Sequence, residues 1–268
     1  MSSSSSSYTD VLLDEYWKSL EISLKEVETA TNNFADENLL KRGTSYDVYK
    51  GQLIDEQGHI HDIVARLSKN DNAVINEIEM SYHVNHSNIT SPFRVYDENI
   101  DHSFIVLNKH EANGSLDKHL SAPTLTWMQR LHICVGVARP LKYIHNDLWD
   151  DDEYVIHGNI KSSKILLDHN WEPKLHGFEF SIFAKKHSIQ RYTKYNGSPQ
   201  HMDPAYEITR VLTHKSDVFS FGVLLFEVLF GTQACVQNND NWKIRLQLLP
   251  RLKANHHPTT SRRRTWIT

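Results

Sequence analysis

The period of hydrophobic and polar positions changes near the middle of the chain. The first half contains short runs of β-branched and aromatic residues, such as Tyr46–Lys50 and Ile63–Ala65, which predict short strands. In the second half, apolar residues such as Trp127 and Leu131 recur at helical spacing, and residues 218–230 are apolar on nearly all sides. A β-rich first half and a helical second half predict a two-lobed α+β protein.

Further elements follow from the same pattern. Residues 24–34 predict a short helix and a turn, and residues 72–85 predict a helix that buries Val74 and Ile78. Strands are predicted for residues 93–96 and 104–107. Pro140 lies inside the helix around Leu131, where a proline usually introduces a kink.

The two ends of the chain have a different character from its centre. Residues 1–23 are largely polar and predict a flexible leader. Residues 232–268 show no clear periodicity and end in the basic stretch Ser261–Arg264, which predicts a divergent, solvated tail.

Composition and charge exclude several classes of function. The formal net charge is −4, so no general attraction to nucleic acid is expected. The apolar stretch at residues 223–230 is interrupted by Glu227 and is too short to cross a bilayer, so membrane insertion is not expected. Residues 1–7 lack the features of a signal peptide, and the only cysteines are Cys134 and Cys235. A reduced, cytoplasmic protein is predicted.

Six motifs occur in an order that resembles plant receptor-like protein kinases. The resemblance covers residues 24–231 and implies a kinase-like domain with a β-rich N-lobe at 24–109 and a helical C-lobe at 110–231. Residues 232–268 replace the family's last helices, so the C-lobe is expected to be incomplete and some apolar surface exposed. The motifs are Leu24–Phe34, Asn113–Leu116, Leu125–Trp127, Val155–His157, Ile160–Ser163 and Lys215–Gly222.

The resemblance also places a nucleotide site, and its glycine-rich loop is altered. Kinases cover the ATP phosphates with a loop whose glycines let backbone N–H groups approach. Here the three glycine positions hold Lys41, Gly43 and Tyr46, and Tyr46 is expected to crowd the loop. The full set of nucleotide-site positions implied by the family is Lys41, Gly43, Tyr46, Val48, Val64, Lys109, His110 and Leu166.

The lysine that kinases pair with a helix glutamate is replaced. Its position holds Arg66, whereas the glutamate position keeps Glu77. An Arg66–Glu77 ion pair is therefore expected, although arginine does not reproduce the compact ammonium group that contacts phosphates.

The catalytic loop and the metal-binding triplet have lost their oxygen ligands. The aspartate that accepts a proton in the family is Asn159, whose amide cannot take one. The two magnesium-ligand positions hold Lys164 and Gly177, so the resemblance implies no metal site. Glu179 lies two residues further on and is expected to point elsewhere if the local strand is regular.

Residues that build the lobe remain where those for chemistry are gone. His157, Phe178 and Asp217 are present, and in the family they hold the catalytic loop and the central helix together. The leading hypothesis is a pseudokinase that binds a protein partner, such as an active receptor-like kinase. No cofactor is predicted, since ATP and magnesium follow only from the family resemblance.

Two alternatives stay open. A weak or atypical Ser/Thr kinase would depend on Lys161, Arg66 and Glu179. A truncated, poorly folding gene product is the other alternative, since Pro140 interrupts a helix and the last helices are replaced. Whether the activation-segment hydroxyls Ser188, Thr193 and Ser198 accept phosphate from another kinase is left undecided.

Overall fold

The protein is described by a computed structural model that covers most of the chain. It describes residues 5–98, 103–148, 153–185, 201–238 and 241–244. The helices are α1 Ser5–Leu20, α2 Leu24–Thr31, α3 Asp71–His83, α4 Trp127–Lys142, α5 Pro204–Thr209 and α6 His214–Phe230. The strands are β1 Leu39–Arg42, β2 Tyr46–Ile54, β3 Ile60–Ser68, β4 Arg94–Glu98, β5 Ser103–Lys109, β6 Gly114–Ser115, β7 Glu153–Ile156, β8 Ile165–Leu167, β9 Pro173–Leu175, β10 Ile182–Lys185, β11 Cys235–Asn238 and β12 Asn241–Ile244.

The first lobe is an antiparallel sheet of five strands in the order β1-β2-β3-β5-β4. In the register, Val48 pairs with Arg66, and Arg66 pairs with Val106. Side chains alternate between the two faces of a strand, so these residues share the inner face. The α+β architecture with a β-rich N-lobe, predicted from the sequence, is confirmed.

Helix α2 crosses the outer face of this sheet. Ser23 caps its first turn by accepting from the Glu26 N–H, and the Glu26 carboxylate accepts from the Ser23 backbone N–H at 3.0 Å. Its apolar face packs on an outer cluster that contains Val27, Ile63 and Leu107. The predicted helix and turn at residues 24–34 are both present, since Asn32 caps the helix in the left-handed conformation.

The prediction of a flexible leader at residues 1–23 is wrong. Residues 5–20 form helix α1, whose last turn packs on the inner cluster of the sheet and on α3. Tyr16 shares a hydrogen bond of 2.9 Å with Ser81, the Trp17 ring lies 6.2 Å from that of Phe104, and Leu20 is buried. These three residues lie on one helix face, and burying them orders the segment.

Helix α3 is where the sequence predicts it. It buries Val74 and Ile78 completely, and Asn70 caps its first turn. The strands predicted at residues 93–96 and 104–107 correspond to β4 and β5.

The helical lobe is built on α4 and α6. Helix α6 ends at Gly231, whose left-handed conformation terminates it. Helix α4 continues through Pro140 to Lys142 and widens into a π-helical turn at Tyr143–Asp147, because the proline lacks an N–H for the regular ladder.

The buried face of α4 differs from the prediction. Trp127 and Leu131, taken from their spacing as core positions, are 57% and 39% exposed. The core is formed instead by Ile133, Val137 and Leu141, which also recur at helical spacing. Both faces of the helix carry apolar residues, so periodicity alone could not choose between them.

Part of the predicted tail has regular structure. Strands β11 and β12 pair as a hairpin within residues 235–244, inside the segment 232–268 that was predicted to lack order. Ser188, Thr193 and Ser198 lie outside the described residues. None of the helices described is long and apolar enough to span a membrane.

Candidate functional site: a kinase-like cleft without metal ligands

The catalytic loop is anchored by a buried carboxylate on α6. Asp217 accepts from the backbone N–H of His157 at 2.7 Å and from that of Gly158 at 2.8 Å. It also lies 2.9 Å from Nε2 of the buried His145. Buried polar groups need such partners, so Asp217 fixes where the loop leaves strand β7.

His157 connects this loop to the triplet that begins at Gly177. Its Nδ1 accepts from the Asn159 backbone N–H at 3.2 Å, so Nε2 carries the hydrogen and donates to the His176 carbonyl at 3.2 Å. Its ring lies 4.7 Å from that of Phe178. Burial lowers the pKa of His157 to about 4, so the ring stays neutral.

The side chain of Lys164 crosses Gly177 and ends at Glu179. Its Nζ donates to a carboxylate oxygen of Glu179, and both side chains are buried. A Cβ atom on Gly177 would lie 2.6 Å from Cδ and 2.8 Å from Cε of Lys164. Gly177 also has a φ of 92°, which side chains disfavour. A side chain at position 177 and the present lysine conformation therefore exclude each other.

The expectation that Glu179 points away from this site is wrong. Residues 178–180 form a short 3₁₀-helix rather than a strand, and this turn directs the carboxylate inward. Burial alone would raise the pKa of Glu179, but the adjacent Lys164 ammonium outweighs burial and lowers it. The pair is therefore ionised at neutral pH.

A second ion pair joins β3 to α3. Arg66 donates to Glu77 at 2.7 Å, as the sequence predicts, and its Nε donates to the side chain of Asn108 at 2.9 Å. Its guanidinium carbon lies 4.8 Å from the centre of the Tyr46 ring. Because pair, amide and ring hold Arg66 on three sides, it serves as a structural anchor.

Helix α3 is also fastened to the triplet. Asn76 donates from one side-chain nitrogen to the carbonyls of Phe178 and Ser181, each at 3.0 Å. Glu77 follows directly in the helix, so the two ion pairs are held in one rigid group.

Lys161 adds to the positive charge of the loop. Burial lowers the pKa of its ammonium, and the neighbouring charge of Lys164 lowers it further. Together with Asn159, which is buried, the loop presents an amide and two ammonium groups.

The glycine-rich loop is closed by its own side chains. The Gly43 backbone N–H, which a phosphate would use in the family, donates to the Asp47 carboxylate at 3.3 Å. Lys69 lies between them and donates to the Gly43 carbonyl at 2.9 Å and to Asp47 at 2.7 Å. Lys41 is exposed on β1, whereas Tyr46 reaches the inner cluster beneath the sheet.

The remaining nucleotide-site positions fall into two groups. Val48 and Val64 are half-buried in register with Arg66 and Asn108 on the inner face, and Leu166 is half-buried on β8.

Lys109 and His110 belong elsewhere. The Lys109 ammonium lies 5.0 Å from the centre of the Phe93 ring, on the face covered by α2. The exposed side chain of His110 lines a groove beside β2. Their side chains therefore do not join those in the cleft.

The group that the family would hold here does not fit. Mg²⁺ requires oxygen ligands in tight octahedral geometry. Position 177 offers no side chain, and position 164 places an ammonium beside it. The donor set is thus wrong for a divalent cation at the family's position.

Sequence reasoning missed three residues of the site. Asn76, Asn108 and Tyr46 reach Phe178, Arg66 or both sides of the sheet through contacts distant in sequence. Only Tyr46 carried a signal, since it stands at a glycine position.

Comparison with known proteins agrees with this geometry. The protein kinase domain family matches residues 39–266, so the match continues past residue 231, where the sequence predicted a boundary. That boundary is therefore not supported.

The relatives are receptor-like kinases of Arabidopsis thaliana. The chain is 36% identical over 225 residues to the G-type lectin S-receptor-like serine/threonine-protein kinase SRK, covering 79% of this chain and 25% of that protein. It is 38% identical over 210 residues to receptor-like protein kinase HERK 1, covering 76% of this chain and 24% of that protein. The chain spans about a quarter of the length of these relatives. It belongs to the protein kinase domain family, and its similarity to plant receptor-like kinases is confirmed.

Proposed function

We propose that this chain is a pseudokinase, which keeps the kinase fold, does not transfer phosphate and acts as a binding or regulatory module. The observation that carries the proposal is the Lys164–Glu179 pair across Gly177. An internal cation is paired with an internal carboxylate at the place where kinases gather oxygen ligands around magnesium.

Electrostatics support the loss of metal binding. A divalent ion about 4 Å from an ammonium group meets a repulsion of about 8 kcal/mol at an effective dielectric constant of about 20. The Glu179 carboxylate offsets part of this repulsion, but it is already committed to Lys164. Moving Lys164 away would cost the buried pair, which is worth about 3–5 kcal/mol when one partner is removed.

The proton-transfer step is also unsupported. Asn159 stands where the family's aspartate orients and deprotonates the substrate hydroxyl, and an amide has no basic oxygen for that task. The charge and the base that phosphoryl transfer requires are therefore both missing from the described cleft.

The decisive experiment is transfer from labelled ATP to the chain itself and to a general acceptor protein. We expect incorporation with Mg²⁺ or Mn²⁺ to equal that of Asn159→Ala, which removes the position of the base. Incorporation clearly above that control would overturn the proposal.

A protein partner is the proposed role for the intact scaffold. The anchors at Asp217 and Arg66 keep the loop and α3 in fixed positions although the chemistry is gone. The proposed partner is an active receptor-like kinase, and the setting is the cytoplasm. Direct binding of the purified chain to purified receptor-like kinase domains tests this, and its absence across a panel would count against it.

A weak Ser/Thr kinase activity is the second candidate. Glu77 and Glu179 each have one buried carboxylate oxygen without a hydrogen-bond partner among the described residues. Such oxygens could attract a cation in an arrangement different from the family's. Glu179→Gln would abolish any labelled-phosphate transfer that depends on this oxygen.

A further inference from the structure

A groove of about 860 Å³ lies beside the N-lobe sheet, away from the ion pairs of the cleft. One wall is α2, which contributes Lys25 and Thr29, and the other is the edge of β2 from Lys50 to Ile54. His110, from the segment after β5, lies at one end.

The edge of β2 along this groove has no strand beside it among the described residues. Strand β1 pairs only with Asp47, Val48 and Tyr49, whereas β3 pairs along the whole of β2 on its other side. Residues 50–54 therefore present a row of backbone groups that a further strand could pair.

The opposite edge of the sheet is treated differently. There the chain before α2 covers β4, since Glu21 forms a parallel bridge with Val95 and the Ile22 N–H donates to the Val95 carbonyl at 3.1 Å. The sheet thus protects one edge with its own chain and leaves the β2 edge open within the described residues.

The charges at the groove favour an acidic occupant. Its two carboxylates are engaged, because Glu26 accepts from Ser23 and Asp62 accepts from Gln52 at 2.9 Å. Lys25 and Lys50 are exposed, and neither takes part in an ion pair within the described part of the chain. Two uncompensated ammonium groups therefore face the groove from its two walls.

Apolar surface lies next to these charges. Leu40 is 53% exposed, and Ile54 and Ile60 at the β2–β3 turn are each 64% exposed. Side chains of an added strand alternate between two faces, so an occupant with alternating acidic and apolar residues matches the site.

We propose that the β2 edge at residues 50–54 binds an extended acidic segment of a protein partner by strand addition. Main-chain hydrogen bonds would supply affinity, and Lys25 and Lys50 would select the acidic side chains. This site rests on the proposed role as a binding module, since it gives that role a surface. It does not depend on the chemistry of the cleft.

The test uses the full chain and a labelled peptide probe of about seven alternating glutamate and valine residues, long enough to pair with the open edge. We expect binding by fluorescence anisotropy and slower hydrogen exchange of the amides at 50–54. The double variant Lys25→Glu/Lys50→Glu is expected to weaken binding about fivefold or more, since exposed charge pairs contribute modestly. The matched variant Lys18→Glu/Lys215→Glu, at exposed lysines outside the groove, should bind as the unchanged chain does.

A probe with N-methylated backbone should not bind, because it lacks the donors that strand pairing needs. Failure of the original probe to bind, or equal binding by the groove variant, would overturn the proposal. Amides at 50–54 that are already protected in the dilute, isolated chain would assign the edge to residues 245–268 instead. Protection that appears only as concentration rises would assign it to a second copy. A chain that transfers phosphate yet binds the probe would refute the pseudokinase proposal alone.

Discussion

Replacing Gly177 by alanine probes the arrangement on which the proposed function depends. The new Cβ would lie within 3 Å of Cδ and Cε of Lys164, and the residue would keep a φ of 92°. The backbone strain costs about 1–2 kcal/mol. Displacing Lys164 from Glu179 adds part of the value of a buried pair, about 1–3 kcal/mol. We expect a total loss of about 2–5 kcal/mol in the free energy of unfolding.

Gly58→Ala is the matched control for the backbone term. Gly58 has a φ of 82°, and a Cβ there meets no atom within 4 Å. Its loss should stay near 1–2 kcal/mol. Urea unfolding followed by circular dichroism measures both variants.

A double-mutant cycle separates strain from the clash. In a Lys164→Ala/Glu179→Gln background, no lysine crosses position 177 and no buried charge is left unpaired. Gly177→Ala should then cost no more than Gly58→Ala, which gives a coupling energy of about 1–3 kcal/mol. Additive effects within about 0.5 kcal/mol would refute the contact between Lys164 and Gly177.

Three further predictions follow from other parts of the structure. Arg66→Met leaves Glu77 buried and unpaired, so we expect a loss of about 3–5 kcal/mol in urea unfolding, largely relieved by Arg66→Met/Glu77→Met. Burial lowers the pKa of His157 to about 4 and that of His176 to about 3, so the unfolded chain binds protons that the folded chain excludes; stability should fall by about 2 kcal/mol per histidine between pH 7 and pH 5, and a flat profile would contradict this. Gly51→Ala should cost about 1–3 kcal/mol in thermal unfolding, because its Cβ overlaps the Ala30 carbonyl under α2, whereas Gly222→Ala, which meets no atom within 4 Å, should not destabilise.

Local sequence signals predicted the N-lobe well. The spacing of Val74 and Ile78 identified the buried face of α3, because one side of that helix is polar. The ordered motifs located β8 at Ile165–Leu167 and the Arg66–Glu77 pair. Where one face is apolar and one polar, or where a motif fixes a position, tertiary contacts agree with local pattern.

Other features depend on contacts that local pattern does not contain. Helix α1 is ordered by Trp17 and Leu20 packing on a sheet that follows later in the chain. The direction of Glu179 is set by a single 3₁₀ turn and by Lys164, 15 residues before it. These are long-range effects, so a polar segment and a short triplet could not reveal them.

Binding of ATP by isothermal titration, with Mg²⁺ and again with a chelator, tests the account most directly. Since the ammonium of Lys164 stands beside a residue that has no side chain, Mg²⁺ is expected to add nothing to any affinity that ATP has for the chain. Affinity that rises with Mg²⁺ and disappears with the chelator would show that a metal occupies the cleft, which would contradict the account.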